Sequence, residues 1–409
     1  MKVVIPRDYF YQLLFILCIA IPYLNNYELT FATWTIAALI SVTRSYSVSL
    51  LKLLVPFILI IVIASVAMLF YEHRTYFIIR DYSYLIKPVF GFLVGYQLCK
   101  RNLRAAFELL VKTAFVIAVA HICILIFAVV VYKAHTLNDI RFYGGYFSDF
   151  EIYIFLILLF HKQFELSFSR RWIRIFTIVI GISAFMYLAR TNFVQFLLLY
   201  LALKGYLKVT RKSLILFSSI FFLAAIAYSV ILYINPRREG EGIEAFLYKL
   251  KVAPTEPFTT KIDPTDYVDF NDNYRSWENL QTIKQVTRDG WIPTIFGKGM
   301  GSQIDLGQEV YLGDMKLRYI SILHNGFMIV FLKSGLLGIL IYLYTIFYFF
   351  KRQPGTSEKA KYINRLFLGT GIFLFISNWV FLGFYNLIET KSVLMGFLIA
   401  YCHANKNKI

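Results

Sequence analysis

Apolar runs constrain this chain more than any other feature. They fall near residues 9–25, 28–43, 50–70, 82–99, 113–132, 146–160, 172–189, 191–205, 213–234, 326–350, 363–385 and 388–403. Crossing the hydrocarbon core takes about 20 mostly apolar residues, and lipid admits only helices or closed barrels, because backbone polar groups find no water there. The predicted fold is therefore an all-α polytopic membrane protein with about 12 transmembrane helices. With 58% hydrophobic and only 16% charged residues, a soluble domain of this length is excluded.

Charge then predicts orientation. The formal charge is +18, which in a polytopic protein bears first on topology, since cytoplasmic loops hold the excess of Lys and Arg. Alternate loops separate cleanly. One set holds Lys2 and Arg7; Arg44 and Lys52; Lys100, Arg101, Arg104 and Lys112; Lys162, Arg170, Arg171 and Arg174; Lys204, Lys208, Arg211 and Lys212; Lys351, Arg352, Lys359, Lys361 and Arg365; Lys406 and Lys408. Both termini are thus expected in the cytoplasm, which requires an even number of spans. The chain divides into an N-terminal membrane part (1–234, about nine spans), a large outer loop (235–323) and a C-terminal membrane part (324–409, about three spans). That loop is slightly acidic, so nucleic acid is not its partner. Trp277, Leu280, Ile283 and Val286, and the shorter set Phe246, Leu247 and Leu250, recur at helical spacing and predict short helices packed down on the membrane domain. Lys2 and Arg7 before the run Tyr9 to Ile21 resemble a signal peptide without a cleavage site, hence a retained first helix. Cys18, Cys99, Cys123 and Cys402 lie in or beside apolar runs and suit neither a disulfide nor zinc. No solenoid-type repeat and no low-complexity tract is evident.

Chemistry has few candidates. His324 and Asn325 stand where the outer loop ends and an apolar run begins, and Gly335 and Gly338, which follow, are expected to let that helix pack closely against a neighbour. An isolated His there can be only interfacial, but it can also serve as a base near neutral pH. Arg141, in RFYGG, and Arg190, in ARTNF between two runs with almost no loop, are cations close to lipid, where charge is costly unless it faces a cavity or a partner. Their guanidinium forks match phosphate oxygens. Arg318, Arg74, Arg80 and Arg275 are weaker candidates on the same face. GKGMG around Gly299 lacks the Lys-Ser/Thr of a phosphate loop and reads as a turn. Asp263, Asp266, Asp269 and Asp272 lack the glycine and terminal Glu of a calcium loop and read as a solvated face, so no metal site is expected. His121, inside the fifth run without an acidic neighbour in sequence, reads as an interhelical hydrogen bond.

The His-Asn pair followed by nine residues, Gly, two residues and Gly, the stretch YRSWENLQTI…FGKGMGS before it, Arg190 at the head of a run, and Arg141 with Gly144 and Gly145 together resemble the O-antigen ligase and polymerase superfamily, bacterial membrane glycosyltransferases. SDFEIY after Gly145 departs from the Pro-Asn often seen there, which weakens Arg141 more than Arg190 or His324. The resemblance implies a GT-C-like membrane fold in the inner membrane and an undecaprenyl-pyrophosphate-linked oligosaccharide as donor. It implies metal-independent, inverting transfer on the periplasmic or outer face with no cofactor, His324 and Asn325 as catalytic residues, and Arg190, Arg141 and Arg318 around the donor pyrophosphate. Partners implied are the lipid bilayer, a chain-length regulator and a flippase. Within the superfamily a polymerase of repeat units is favoured over a ligase to lipid A-core. A lipid-linked oligosaccharide flippase or transporter is the alternative from another class, for which paired repeats or broken midplane helices are expected.

Overall fold

A computed structural model describes residues 7–145, 147–207, 211–238, 243–256, 259–312, 315–355, 357–380 and 382–405. The cations expected on the cytoplasmic side at Lys2, Lys208, Lys406 and Lys408 lie outside these residues, as does the start of the chain. All twelve apolar runs are helical. In order they are α1 (Arg7–Ala20), α2 (Tyr27–Ile40), α3 (Val48–Met68), α4 (Thr75–Arg101), α5 (Ala106–Val131), then after the short α6 (Leu137–Gly144) α7 (Phe150–Leu159), α8 (Arg170–Met186), α9 (Arg190–Lys204) and α10 (Arg211–Ile234). The outer segment contributes α11 (Ile243–Val252), α12 (Tyr267–Asp272), α13 (Tyr274–Arg288), α14 (Trp291–Phe296) and strands β1 (Ile304–Leu312) and β2 (Met315–Ile320). The chain closes with α15 (Gly326–Tyr348), α16 (Glu358–Val380) and α17 (Lys391–Ala404). Caps set several starts: Asn26, Ser47 and Asp266 side chains accept from backbone N–H groups of α2, α3 and α12, and Thr136 with Asp139 forms a capping box on α6.

One expectation is met in part and another needs correction. Three stretches among the described residues are long and apolar enough to cross a membrane: Val48–Met68, Leu103–Val131 and Gly326–Tyr348. Others are shorter than a full span: α7 has 10 residues, α17 has 14 and α9 has 15, or roughly 15 to 22 Å at 1.5 Å per residue against a core of about 30 Å. The fold is also not purely α. β1 and β2 pair antiparallel, with Ile304 opposite Ile320 and Val310 opposite Leu317. Ile304, Leu306, Val310 and Ile320 are buried, a near-alternation that a reading tuned to helical period does not register.

The core is built on α4 and α17. A Cβ on Gly95 would lie 1.8 Å from the Val393 carbonyl oxygen, and one on Gly396 would lie 2.2 Å from that of Phe92. Only glycine lets the two backbones approach so closely. Residues 391–400 of α17 are all buried, so this apolar run is a central helix wrapped by protein and not a lipid-facing span.

Candidate functional site

Asn325 begins the site. Its Oδ1 accepts from Phe327 N (2.9 Å) and Met328 N (3.2 Å), capping α15. The side-chain carbonyl is thus engaged with the helix, and its effect on His324 is to hold the adjoining backbone. His324 turns its ring back to α13. Its Nδ1 lies 3.0 Å from Glu278 Oε1 and 3.1 Å from Oε2, and its backbone N–H donates to Oε2 at 3.0 Å. A carboxylate can only accept, so Nδ1 carries the proton and the Nε2 lone pair faces away from Glu278. The Glu278 side chain is 1% exposed, whereas that of His324 is 43% exposed. The result is a half-open imidazole fixed by a buried carboxylate. The Tyr274 ring meets the imidazole edge-on at 5.7 Å, and burial, then the charge of Glu278, pushes the Tyr274 phenol well above its usual range.

Arg275 lies one turn away on the same helix. Arg275 pairs with Glu256 at 3.7 Å, and the charges of Glu256, Arg275 and Arg141 all act on Arg190. Three guanidinium groups against one carboxylate leave the neighbourhood of Arg190 net positive. Because Arg275 and Glu278 are three residues apart, their side chains share a face of α13, with Cβ atoms about 5 to 6 Å apart. Arg190 thus lies within charge range of Arg141 and of Arg275, which shares a face of α13 with Glu278. Arg318 lies elsewhere. Asp305 holds it through two contacts of 2.8 and 3.0 Å on the exposed hairpin, and Asp305 is tied to Gln285, roughly 15 Å along α13 from Arg275. Arg80 lies over the Phe77 ring at 4.7 Å, and Arg74 precedes α4 as its N-cap residue.

Gly335 does more than permit close packing. Gly335 has φ +64° inside α15 and breaks the helix. A Cβ there would lie 2.3 Å from the Ile295 backbone. Carbonyls left open by the break at Leu332 and Lys333 accept from Lys298 N (2.8 Å) and Gly299 N (3.1 Å). GKGMG is thus a turn, as expected, and its N–H groups satisfy a broken helix in place of an anion. Gly299, at φ +80°, sits against Met68 and Ala64 of α3. A Cβ on Gly338 would first meet Ser334 and Val330 of its own helix. Within the break Lys333 is fully buried; its ammonium donates to Asp81 Oδ2 (2.5 Å) and the Ser302 carbonyl (2.6 Å).

The outer aspartates are engaged locally. Asp263 accepts from Thr265, Asp266 caps α12, Asp269 accepts from Asp263 N, and Asp272 meets Arg238 and Tyr248. His121 stacks on Tyr187 at 3.9 Å and bonds Ser183, which donates to Glu151. His121 thus makes the interhelical hydrogen bond expected of it, and an acid from a third helix, Glu151, stands one hydroxyl away.

Sequence reasoning missed Glu278, Glu256 and the Lys333–Asp81 pair. Lys333 had a usable signal, an ionisable residue deep in an apolar run. Glu278 had almost none, since helical spacing placed Trp277, Leu280, Ile283 and Val286 inward while the structure buries Glu278, Thr282 and Val286 and leaves Ile283 43% exposed. Compared with family models, with characterised proteins and with solved structures, the chain matches none.

Proposed function

We propose that this chain is a membrane glycosyltransferase of surface polysaccharide synthesis that joins undecaprenyl-pyrophosphate-linked repeat units, without metal and with inversion, on the outer face of the cytoplasmic membrane. One observation carries the reading: α13 presents Glu278 to His324 and carries, one turn earlier, Arg275, within charge range of Arg190. A lipid pyrophosphate is already a good leaving group and needs its developing charge stabilised, which fixed guanidinium groups do. An acceptor hydroxyl is a weak nucleophile and needs a positioned base, for which an imidazole oriented by a carboxylate is suited. His324 Nε2 takes the hydroxyl proton as the oxygen attacks the anomeric carbon, and the pyrophosphate leaves with its electron pair on the arginine side. A single displacement inverts that carbon.

The membrane arrangement follows the charge pattern, with about twelve membrane-embedded helices and both termini inside. With Lys204 at the inner headgroups, the 15 residues of α9 raise Arg190 only about 21 Å, so it sits some 9 Å below the outer edge of a 30 Å core. A cation at that depth is costly unless it faces a cavity or a partner. A ligase of finished chains to lipid A-core uses the same chemistry.

The broken α15 favours a second reading, a transporter, because discontinuous helices line ion sites in that class. Against it, the carbonyls opened by the break are taken by Lys298 and Gly299, and the Lys333 ammonium already fills the Asp81 position. The deciding experiment supplies purified protein in vesicles with lipid-linked repeat units. A ladder of lengthened glycans is expected; movement of unaltered donor across the bilayer with no lengthening overturns the proposal. In cells, loss of the gene is expected to leave single repeats on the surface, whereas long chains stranded on the carrier indicate the ligase.

A further inference from the structure

The break in α15 leaves a gap in the lipid-facing wall. Beyond Gly335 the helix presents Leu336, Leu340, Tyr344 and Phe347 as one exposed apolar stripe, while residues 325–335 are buried on every side. From Leu336 to Tyr348 the helix rises about 20 Å, roughly 10 Å less than the hydrocarbon core. What packs against α15 at Gly335 is α14, whose Ile295 backbone would lie 2.3 Å from a Cβ at Gly335. A helix lying on its side is about 10 Å thick, which is the missing height. Every strongly exposed residue of α14 is apolar: Trp291, Ile292, Ile295 and Phe296, between 36% and 68% exposed. Their spacing places them on one face, and Pro293 is buried on the other. Cations flank this face, with Arg288 exposed just before it and Lys298, paired with Asp289 at 2.7 Å, just after.

We propose that α14 is an interfacial helix whose Trp291, Ile292, Ile295 and Phe296 face lies in the outer leaflet, continuing the lipid-facing stripe of α15 above the Gly335 break. The occupant is bilayer lipid: apolar side chains meet acyl chains, the Trp291 indole lies at headgroup level, and Arg288 and Lys298 stand at phosphate depth. The inference rests on the membrane reading above, with α14 on the outer side. It also gives the Gly297–Gly301 turn a reason to enter α15, since that turn fixes the depth at which α14 floats and so ties the outer segment that carries Glu278 to the bilayer surface.

Nitroxide accessibility in the full chain tests this. In a Cys123→Ser background, where Cys18, Cys99 and Cys402 are buried, single labels are placed at Ile292→Cys, at Leu340→Cys on the α15 stripe and at Thr265→Cys on the exposed outer segment. Ile292, Leu340 and Thr265 are all exposed, so labelling leaves the core packing untouched. In vesicles of phosphatidylethanolamine and phosphatidylglycerol, the ratio of relaxation by oxygen to relaxation by a nickel chelate is expected to be several-fold higher at 292 and 340 than at 265. A label at 292 as nickel-accessible as that at 265, with 340 in lipid, overturns the inference alone, and so does a label at 292 shielded from both reagents by protein. Nickel access at 340 as well overturns the membrane reading and the inference together.

Discussion

Glu278→Gln is the sharpest perturbation the site permits, because the change removes a charge and keeps the shape. Glu278 Oε2 accepts the His324 backbone N–H at 3.0 Å. In the glutamine variant the amide oxygen must keep that place, which turns the NH₂ group toward Nδ1. Nδ1 then becomes an acceptor, the ring proton moves to Nε2, and the base is lost. Electrostatics add to this. At 3.0 Å and an effective dielectric near 20, the carboxylate stabilises a developing imidazolium by about 5.5 kcal/mol. His324 is 43% exposed, and solvent screening leaves roughly half of that, or about a hundredfold in rate. A full tautomer switch of a histidine base reaches about 10⁴. The expected loss in kcat for lengthening lipid-linked units therefore lies between about 10² and 10⁴. Glu278 acts only through the imidazole, so Glu278→Gln in a His324→Ala background is expected to cost nothing more. Retention of more than a tenth of the activity by the single variant, or losses that multiply in the double variant, would refute the dyad.

The arginine group is expected to be geometric as well as charged: Arg190→Lys and Arg275→Lys should each lose at least tenfold in donor use because the fork is gone, and full activity of the lysine variants reduces both to charge anchors. Gly299→Ala places a Cβ 2.2 Å from Met68 N at φ +80°; left-handed strain of about 1–2 kcal/mol and a backbone clash of about 1–3 kcal/mol should lower the melting midpoint clearly in detergent, and an unchanged midpoint shows that α3 and the turn separate at no cost. Burial holds the His73 imidazole below its usual 6.5, against a bond to the Lys298 carbonyl that raises it. The unfolded chain therefore binds that proton more readily, and stability should fall as pH drops from about 6.5 toward the folded-state value; melts from pH 7.5 to 5 should show a shallower slope in His73→Gln. Lengthening activity is expected to persist in excess chelator, and restoration by magnesium after loss would return attention to the outer aspartates.

What this sequence determined by itself is the set of helices and the identity of the groups suited to chemistry. All twelve apolar runs are helical, the breaks at Asn25 and before Arg190 fall where the runs part, and His324 and Arg190 stand at helix boundaries that are visible because polar residues interrupt apolar ones. Local patterns carry that much, since helix formation and exclusion from water depend on neighbours within a turn or two. Depth, partnership and interruption were decided only by tertiary structure. Whether α17 faces lipid or protein depends on glycines of α4 that allow a backbone approach. Whether Gly335 packs a helix or breaks it depends on a turn more than thirty residues earlier that supplies the missing donors. Glu278 lies 46 positions from His324, and nothing near it in sequence marks it for burial. Its place against the imidazole exists only because α13 lies over the head of α15, a long-range contact for which local periodicity carries no signal.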